Sequence, residues 1–394
     1  MIIAHQDQEA LKKGSEIFKW PEKISKVVGL WPLSLNPYLF GIGTCYYTSY
    51  LVLAIIDMYK SVTNTEMFID NISETLGIVM VFVRMLFFSI NISSLGEIFS
   101  QVFKDYNVSD FKNSEEIEVF MQFINKGIFL LRGFASFMIG TEFVWYFGSL
   151  AATPEFFIDD NNQTIFIIPY KLYFFHEINS LTRYYLTFLC IMPTVWLFGF
   201  GNMSVDSILI SLLFYISGKM AVLTMRIDAL ENGPDSRKKL NGIIAEHSKL
   251  LKMGDGVKDA YSAGLLVYLV NTNVIICIIG YQILISFMAG GQEAEIILFS
   301  LFMMQMYAML SIYCMISEHM TAESLKCCEA FYNIRWYNFP IDCSKDIVFC
   351  IERSQQPLAL WAGQFTTFSS VTLTDVTKTA LSYLSVLRSF KIAE

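Results

Sequence analysis

Charge is scarce in this sequence. Only 16% of its 394 residues are Asp, Glu, Lys or Arg, against 54% hydrophobic, whereas soluble domains run nearer a quarter charged. Histidine is scarcer still: His5, His176, His247 and His319 lie far apart, leaving no cluster for acid–base or metal chemistry. The sequence has no G-x-S-x-G, no H-E-x-x-H, no Walker lysine loop and no Rossmann glycine turn. Gly199-x-Gly201 and Gly254-x-Gly256 lack a strand–turn–helix context and read as bends. No enzyme, cofactor or metal is therefore expected, and binding or transport remains. No cleavable leader is expected either, because residues 1–37 carry five Lys and no apolar core, so the first hydrophobic run reads as a true span.

Long apolar runs fill the rest, and they predict a polytopic, all-α membrane protein. Seven segments are long enough to cross a bilayer: Tyr38–Tyr59, Leu76–Leu95, Gly127–Ala151, Tyr184–Ser217, Ser262–Ala289, Ala294–Ser317 and Gln364–Phe390. The fourth is too long for one crossing and should project beyond the lipid, bent near Pro193 or the Gly199/Gly201 pair. Twenty of the 28 Lys and Arg precede the first segment or follow the second, fourth and sixth, and four lie on the opposite side. The positive-inside bias then puts the N-terminus in the cytoplasm, and seven crossings put the C-terminus outside. The sequons at Asn71 and Asn162 fall in predicted external loops, as this topology requires, although Asn107 begins another in a predicted cytoplasmic loop. Cys45, Cys190, Cys277 and Cys314 lie in spans, and Cys327, Cys328, Cys343 and Cys350 in the last cytoplasmic loop, so no structural disulfide is expected.

The last segment is unusually polar. Thr372, Asp375, Thr379, Ser382, Val386 and Ser389 recur at three- and four-residue steps and form one helical stripe. Leu373, Val376, Ala380, Tyr383, Leu384 and Leu387 run between them and suit packing. Such a stripe, with one apolar member, fits a pore wall with a hydrophobic constriction, or else a polar helix buried in a seven-helix bundle. A pore reading requires oligomers around a symmetry axis, since one helix encloses nothing. Arg84, Arg132 and Glu142 are expected at membrane depth, with Arg84–Glu142 a candidate pair.

Four stretches carry a resemblance. Tyr332-x-x-x-Trp336-Tyr337-x-x-Pro340 follows the sixth segment, and Arg353-x-Gln355-x-Pro357-Leu358-x-Leu360-x-Ala362-Gly363-x-Phe365 enters the seventh. Asp206-Ser207 precedes Tyr215-Ile-Ser217-Gly218-Lys219, where Lys219 replaces a more usual Gln, and Ile168-Pro169-Tyr170 stands in an external loop. In order and spacing these resemble the insect odorant receptors, seven-helix ligand-gated cation channels.

The resemblance implies a tetrameric channel with a cytosolic anchor domain. It divides the chain into a cytoplasmic segment (1–37), helices one to four with the ligand region (38–217), a cytoplasmic loop and anchor (218–261), helices five and six (262–317), further anchor (318–372) and a pore helix with an extracellular tail (373–394). Tyr332, Trp336 and Tyr337 become anchor packing residues, with Pro340 ending the local helix. Val386 becomes the hydrophobic gate, with Ser382, Asp375, Ser389 and Phe390 at the pore. The obligate co-receptor subunit carries Gln where Ser389 stands and has a long insertion that the 218–260 loop lacks. The resemblance therefore implies a ligand-tuning subunit in the plasma membrane of sensory neurons. Its implied partners are a co-receptor in a heterotetramer, a volatile and mostly apolar ligand, and membrane lipid, with no nucleic acid. Candidate ligand residues by depth are Val79, Phe82 and Val83; Gly140, Phe143, Val144 and Trp145; Tyr185 and Met192; and Met304 and Tyr307. A gustatory-type channel shares the implied fold, but Ser382-Tyr383 and Ser389-Phe390 keep only half of the pattern that ends its last helix. A G-protein-coupled receptor is disfavoured by the charge bias and by the lack of D/E-R-Y and N-P-x-x-Y motifs.

Overall fold

The computed structural model describes residues 5–63, 65–106, 110–151, 154, 156–158, 163–175, 177–289 and 293–393. Helices dominate: α1 (His5–Gly14), α2 (Glu16–Val27), α3 (Pro37–Lys60), α4 (Thr65–Ile90), α5 (Ile92–Asp105), α6 (Ser114–Ala151), α7 (Leu181–Asp228), α8 (Ser236–Ala289), α9 (Glu293–Asn333), α10 (Ile341–Ser354) and α11 (Ser370–Ala393). Two short antiparallel hairpins interrupt them, β1–β2 (Phe156–Ile158, Thr164–Phe166) and β3–β4 (Trp361–Ala362, Thr366–Thr367).

Local chemistry sets several of the ends. Asn36 caps α3 by accepting from the Leu39 N–H at 3.1 Å, ahead of Pro37. Gly29, with φ +75°, turns the chain from α2 towards α3, a conformation that costs glycine nothing.

Six helices among the described residues are long and apolar enough to cross a membrane, namely those within α3, α4, α6, α7, α8 and α9. The polar α11 does not reach that mark. Several expected ends are corrected. The second span stops at Ile90, where the chain breaks at Asn91 before α5. The seventh helix starts at Ser370, because residues 361–368 form a hairpin turned by Gly363 at φ +60°. Pro340 precedes α10 instead of ending α9, which stops at Asn333.

The long helices extend well past any bilayer. At about 1.5 Å per residue, the 48 residues of α7 and 54 of α8 span roughly 70 and 80 Å, against a hydrocarbon core of about 30 Å. The excess gathers at one end, here the base, where α1, α2, α5, α10 and the β3–β4 hairpin pack. Along α7, every residue from Gly201 to Leu223 is buried, which is the signature of a helix enclosed on all sides. The N-terminal segment belongs to that enclosure. Phe18 meets Phe99, Tyr106 and Tyr215 at 5.7–6.1 Å between centroids, and Ser211 Oγ donates to the Ile17 carbonyl at 2.9 Å.

α7 runs unbroken through Pro193, Gly199 and Gly201, so the glycine pair serves close approach and not a break. A Cβ on Gly201 would stand 2.3 Å from Met85 Sδ, and one on Gly199 3.2 Å from Glu142 Cγ. Gly254 and Gly256 likewise make room for Leu358 and Ile98.

A second apolar cluster lies at the opposite end, the top. There Tyr47, Tyr50, Tyr146, Tyr184 and Phe188 pack with Ile168, Tyr170 and Leu172 from the segment after β2. Ile168 and Tyr170 are thus buried members of this cluster. Asn71 is buried inside α4, its amide donating to Asp57 at 2.9 Å and Ser61 at 2.8 Å. That position excludes the sequon from glycan attachment in the folded chain. Asn107 and Asn162 lie outside the described residues.

Candidate ligand clefts and pore helix

α11 hangs from α9. Glu318 on α9 accepts from the Ser370 N–H at 2.6 Å and from Ser370 Oγ at 2.8 Å. Tyr313 on the same helix meets Phe368 edge-on at 5.5 Å. Gly363 N donates to the Ser262 carbonyl at 2.8 Å, tying the hairpin to α8.

From this mooring α11 presents one face inward, through buried Val376 and Ala380, while Leu384 approaches Gly280 of α8. Asp375, Ser382 and Val386 are exposed and Thr379 is half-buried. The stripe is not uniform. Thr372 is buried and donates to the Thr367 carbonyl at 2.7 Å, and Tyr383, expected to pack, is exposed. The side chains of Ser389 and Phe390 lie outside the described residues. A polar helix buried in the bundle is thereby set aside, since most of the stripe faces out.

The ionisable residues find partners other than those expected. Arg84 is buried and bonded to Asp206 of α7, not to Glu142. It also donates to Asn202 Oδ1 at 2.6 Å and to the Tyr313 hydroxyl at 2.5 Å, and Tyr313 in turn donates to Asp206. The Tyr268 ring lies 5.0 Å below the guanidinium. This network staples α4, α7, α8 and α9 across the middle of the bundle, its charges matched and its hydrogen bonds largely made. Arg132 pairs with Glu16 of α2 at 2.9 Å, both well exposed.

The candidate ligand residues do not converge on one cavity. Phe82 stacks on Tyr47 at 5.3 Å and lines a small cleft among α3, α4 and α7 with Phe40, Met85 and Leu197. Val79 and Val83 are half-buried beside it. Trp145 approaches Phe302 of α9 at 6.2 Å. Tyr307 packs against the main core cluster. Phe143, Val144, Tyr185, Met192 and Met304 are exposed on the bundle surface, and space is open at Gly140.

A second cleft lies between α6 and α7, lined by Ile139, Glu142, Tyr146, Phe147, Val195, Trp196, Gly199, Phe200 and Met203. None of these had been singled out as a ligand residue. α6 is apolar on nearly every face, so periodicity gave no phase; the acid at position 142 inside an apolar run was the available signal.

In the stretch FYNIRWYNFP, the chain buries Phe331, Ile334 and Phe339 and exposes Tyr332 and Tyr337, with Trp336 between. Within one chain the former three pack in the core and Trp336 packs against it, while Tyr332 and Tyr337 do not pack inward. The Trp336 carbonyl accepts from Ser344 Oγ at 2.8 Å, joining a 3₁₀ turn at Trp336–Asn338 to α10.

A multi-helix membrane bundle with a polar terminal helix and apolar clefts defines a receptor or channel class. The comparisons name the family. A model of the 7tm Odorant receptor family matches residues 64–381, and the chain belongs to that family of insect receptors, which are not enzymes. Among its relatives, Odorant receptor 67c of Drosophila melanogaster is 27% identical over 214 residues, 52% of this chain and 51% of that one. Odorant receptor 13a of the same species is 25% identical over 249 residues, 56% and 57% of the two chains. The chain thus spans about half the length of the curated relatives it matches. In fold it is similar to the insect olfactory receptor OR5 from Machilis hrabei in complex with eugenol, with TM-score 0.80, 17% identity and coverage of 96% and 99%.

Proposed function

We propose that this chain is the odorant-binding, ligand-tuning subunit of a heteromeric, non-selective cation channel opened by a volatile, mostly apolar molecule. The observation that carries the reading is α11: a polar stripe through Asp375 and Ser382, with Val386, exposed on a helix whose other face is packed. Exposed polar groups on a helix of a membrane bundle need water or protein opposite them, and a pore shared with neighbouring subunits supplies both. Val386 is the gate residue, with Asp375, Ser382, Ser389 and Phe390 along the conduction path.

In this reading α11 is the seventh crossing, the N-terminus is cytoplasmic and the C-terminus extracellular, in the plasma membrane of a sensory neuron. The base is the cytosolic anchor, built from segments 218–261 and 318–372. The exposed Tyr332 and Tyr337, with Trp336, suit contacts to a neighbouring subunit. The co-receptor completes a heterotetramer, as the Ser389 identity and short 218–260 loop suggest. The likeness to OR5, which is solved with eugenol bound, favours a small, mostly apolar ligand.

The test is a current recording from cells expressing the chain alone and with the co-receptor during a panel of volatiles. Rapid cation currents only in the pair are expected. Currents from the chain alone would remove the tuning-subunit assignment.

A further inference from the structure

We propose that the α6–α7 cleft is a binding site for volatile amines, with the Glu142 carboxyl group as the polar anchor. The proposal rests on the receptor reading above and adds a ligand class to it. Glu142 lies within the apolar span of α6, yet among the described residues its side chain has neither a hydrogen bond nor an ion pair, in contrast to Asp206, which is held by Arg84 and Tyr313. Such a group costs several kcal/mol when left unmatched, and an intramembrane acid is retained for a reason.

The surroundings say what would match it. The cleft is small and half-open to the outside of the bundle. Four aromatic side chains, Tyr146, Phe147, Trp196 and Phe200, form its walls. Trp196 and Phe200 stack at 5.4 Å, and the buried Trp196 indole N–H has no hydrogen-bond partner. Gly199 opposite lets Glu142 lie against α7. A carboxyl group amid aromatic faces is the chemistry that recognises an amine: an N–H···O hydrogen bond to the acid, and positive charge over ring faces. Whichever partner carries the shared proton, one hydrogen bond joins nitrogen and carboxyl oxygen, while the alkyl part meets Ile139, Val195 and Met203. An ester offers no donor, and an alcohol no charge.

The experiment compares a short primary alkylamine, the alcohol of equal length and the matching methyl ester on the chain co-expressed with the co-receptor. The amine should be at least about tenfold more potent than the alcohol. Glu142→Gln should erase that advantage and leave the alcohol and ester within about twofold. Gly199→Ala, which keeps the acid but crowds it, should weaken the amine selectively. Equal potency of amine and alcohol, or a uniform shift of all three probes in Glu142→Gln, overturns the site. Currents to other volatiles but never to the amine refute the site and leave the receptor reading standing. Silence to every volatile, with surface expression confirmed, removes that reading and the site with it.

Discussion

Glu318 accepts two hydrogen bonds from Ser370, one from its backbone N–H and one from its hydroxyl. One carboxylate on α9 thus secures the first turn of α11, the helix that we assign to the pore, and we expect this contact to carry a shift of α9 to it. Replacing an N-terminal cap of this kind costs about 1 kcal/mol. Glu318→Ala should therefore leave the fold intact but lower maximal current severalfold at equal surface expression, with ligand potency little changed. Glu318→Gln, which keeps one acceptor oxygen, should retain more current. Matching currents in all three chains would show that this contact does not transmit motion.

The Arg84–Asp206 pair is buried with Tyr313, and removing one partner of a buried pair costs roughly 3–5 kcal/mol because the other is left uncompensated. Arg84→Met or Asp206→Leu alone should sharply reduce the yield of monodisperse detergent-solubilised protein and lower its melting temperature. The double variant should recover a good part of the loss. Additive losses would mean that the two residues do not act as a pair.

Substitutions in the aromatic stretch at the base should separate folding from assembly. Phe331 is fully buried, and Phe331→Ala should cost about 3–5 kcal/mol and deplete the protein. Tyr332→Ala and Tyr337→Ala remove exposed rings, and should leave a folded chain that co-purifies less with the co-receptor. The half-buried Trp336 should show both effects, with assembly reduced more than ligand preference. Normal co-purification of the Tyr332 and Tyr337 variants would place the subunit contact elsewhere.

Much of this architecture can be read from residue patterns. The six apolar runs inside α3 to α9 are unmistakable, and the polar load of 370–390 marks α11 as different. Lengths were harder, because α8 begins 26 residues before Ser262 on a charged stretch whose buried face, Leu240, Ile243, Leu250 and Leu251, is paired only in the fold. Partners were hardest. Arg84 and Asp206 lie 122 positions apart, and no local spacing connects them. Gly199 and Gly201 illustrate a different limit: glycine marks either a bend or a close approach, and only the neighbours Glu142 and Met85 decide. The face of α6 that lines the second cleft was missed for a physical reason too, since an apolar run without polar punctuation carries no phase.

The central claim, that α11 lines a ligand-gated pore with Val386 at its constriction, is tested most directly by Val386→Cys. Cys45 and Cys190 are exposed and must first be replaced by Ser. Cys350 lies in the base helix α10, where burial pushes its thiol up to about 11, so it stays protonated and inert. A charged thiol reagent applied outside, to the co-expressed pair during a volatile pulse, should block the current irreversibly and act more slowly with the channel closed. Unchanged current, with the cysteine chain at the surface and responding to the volatile, would contradict the account.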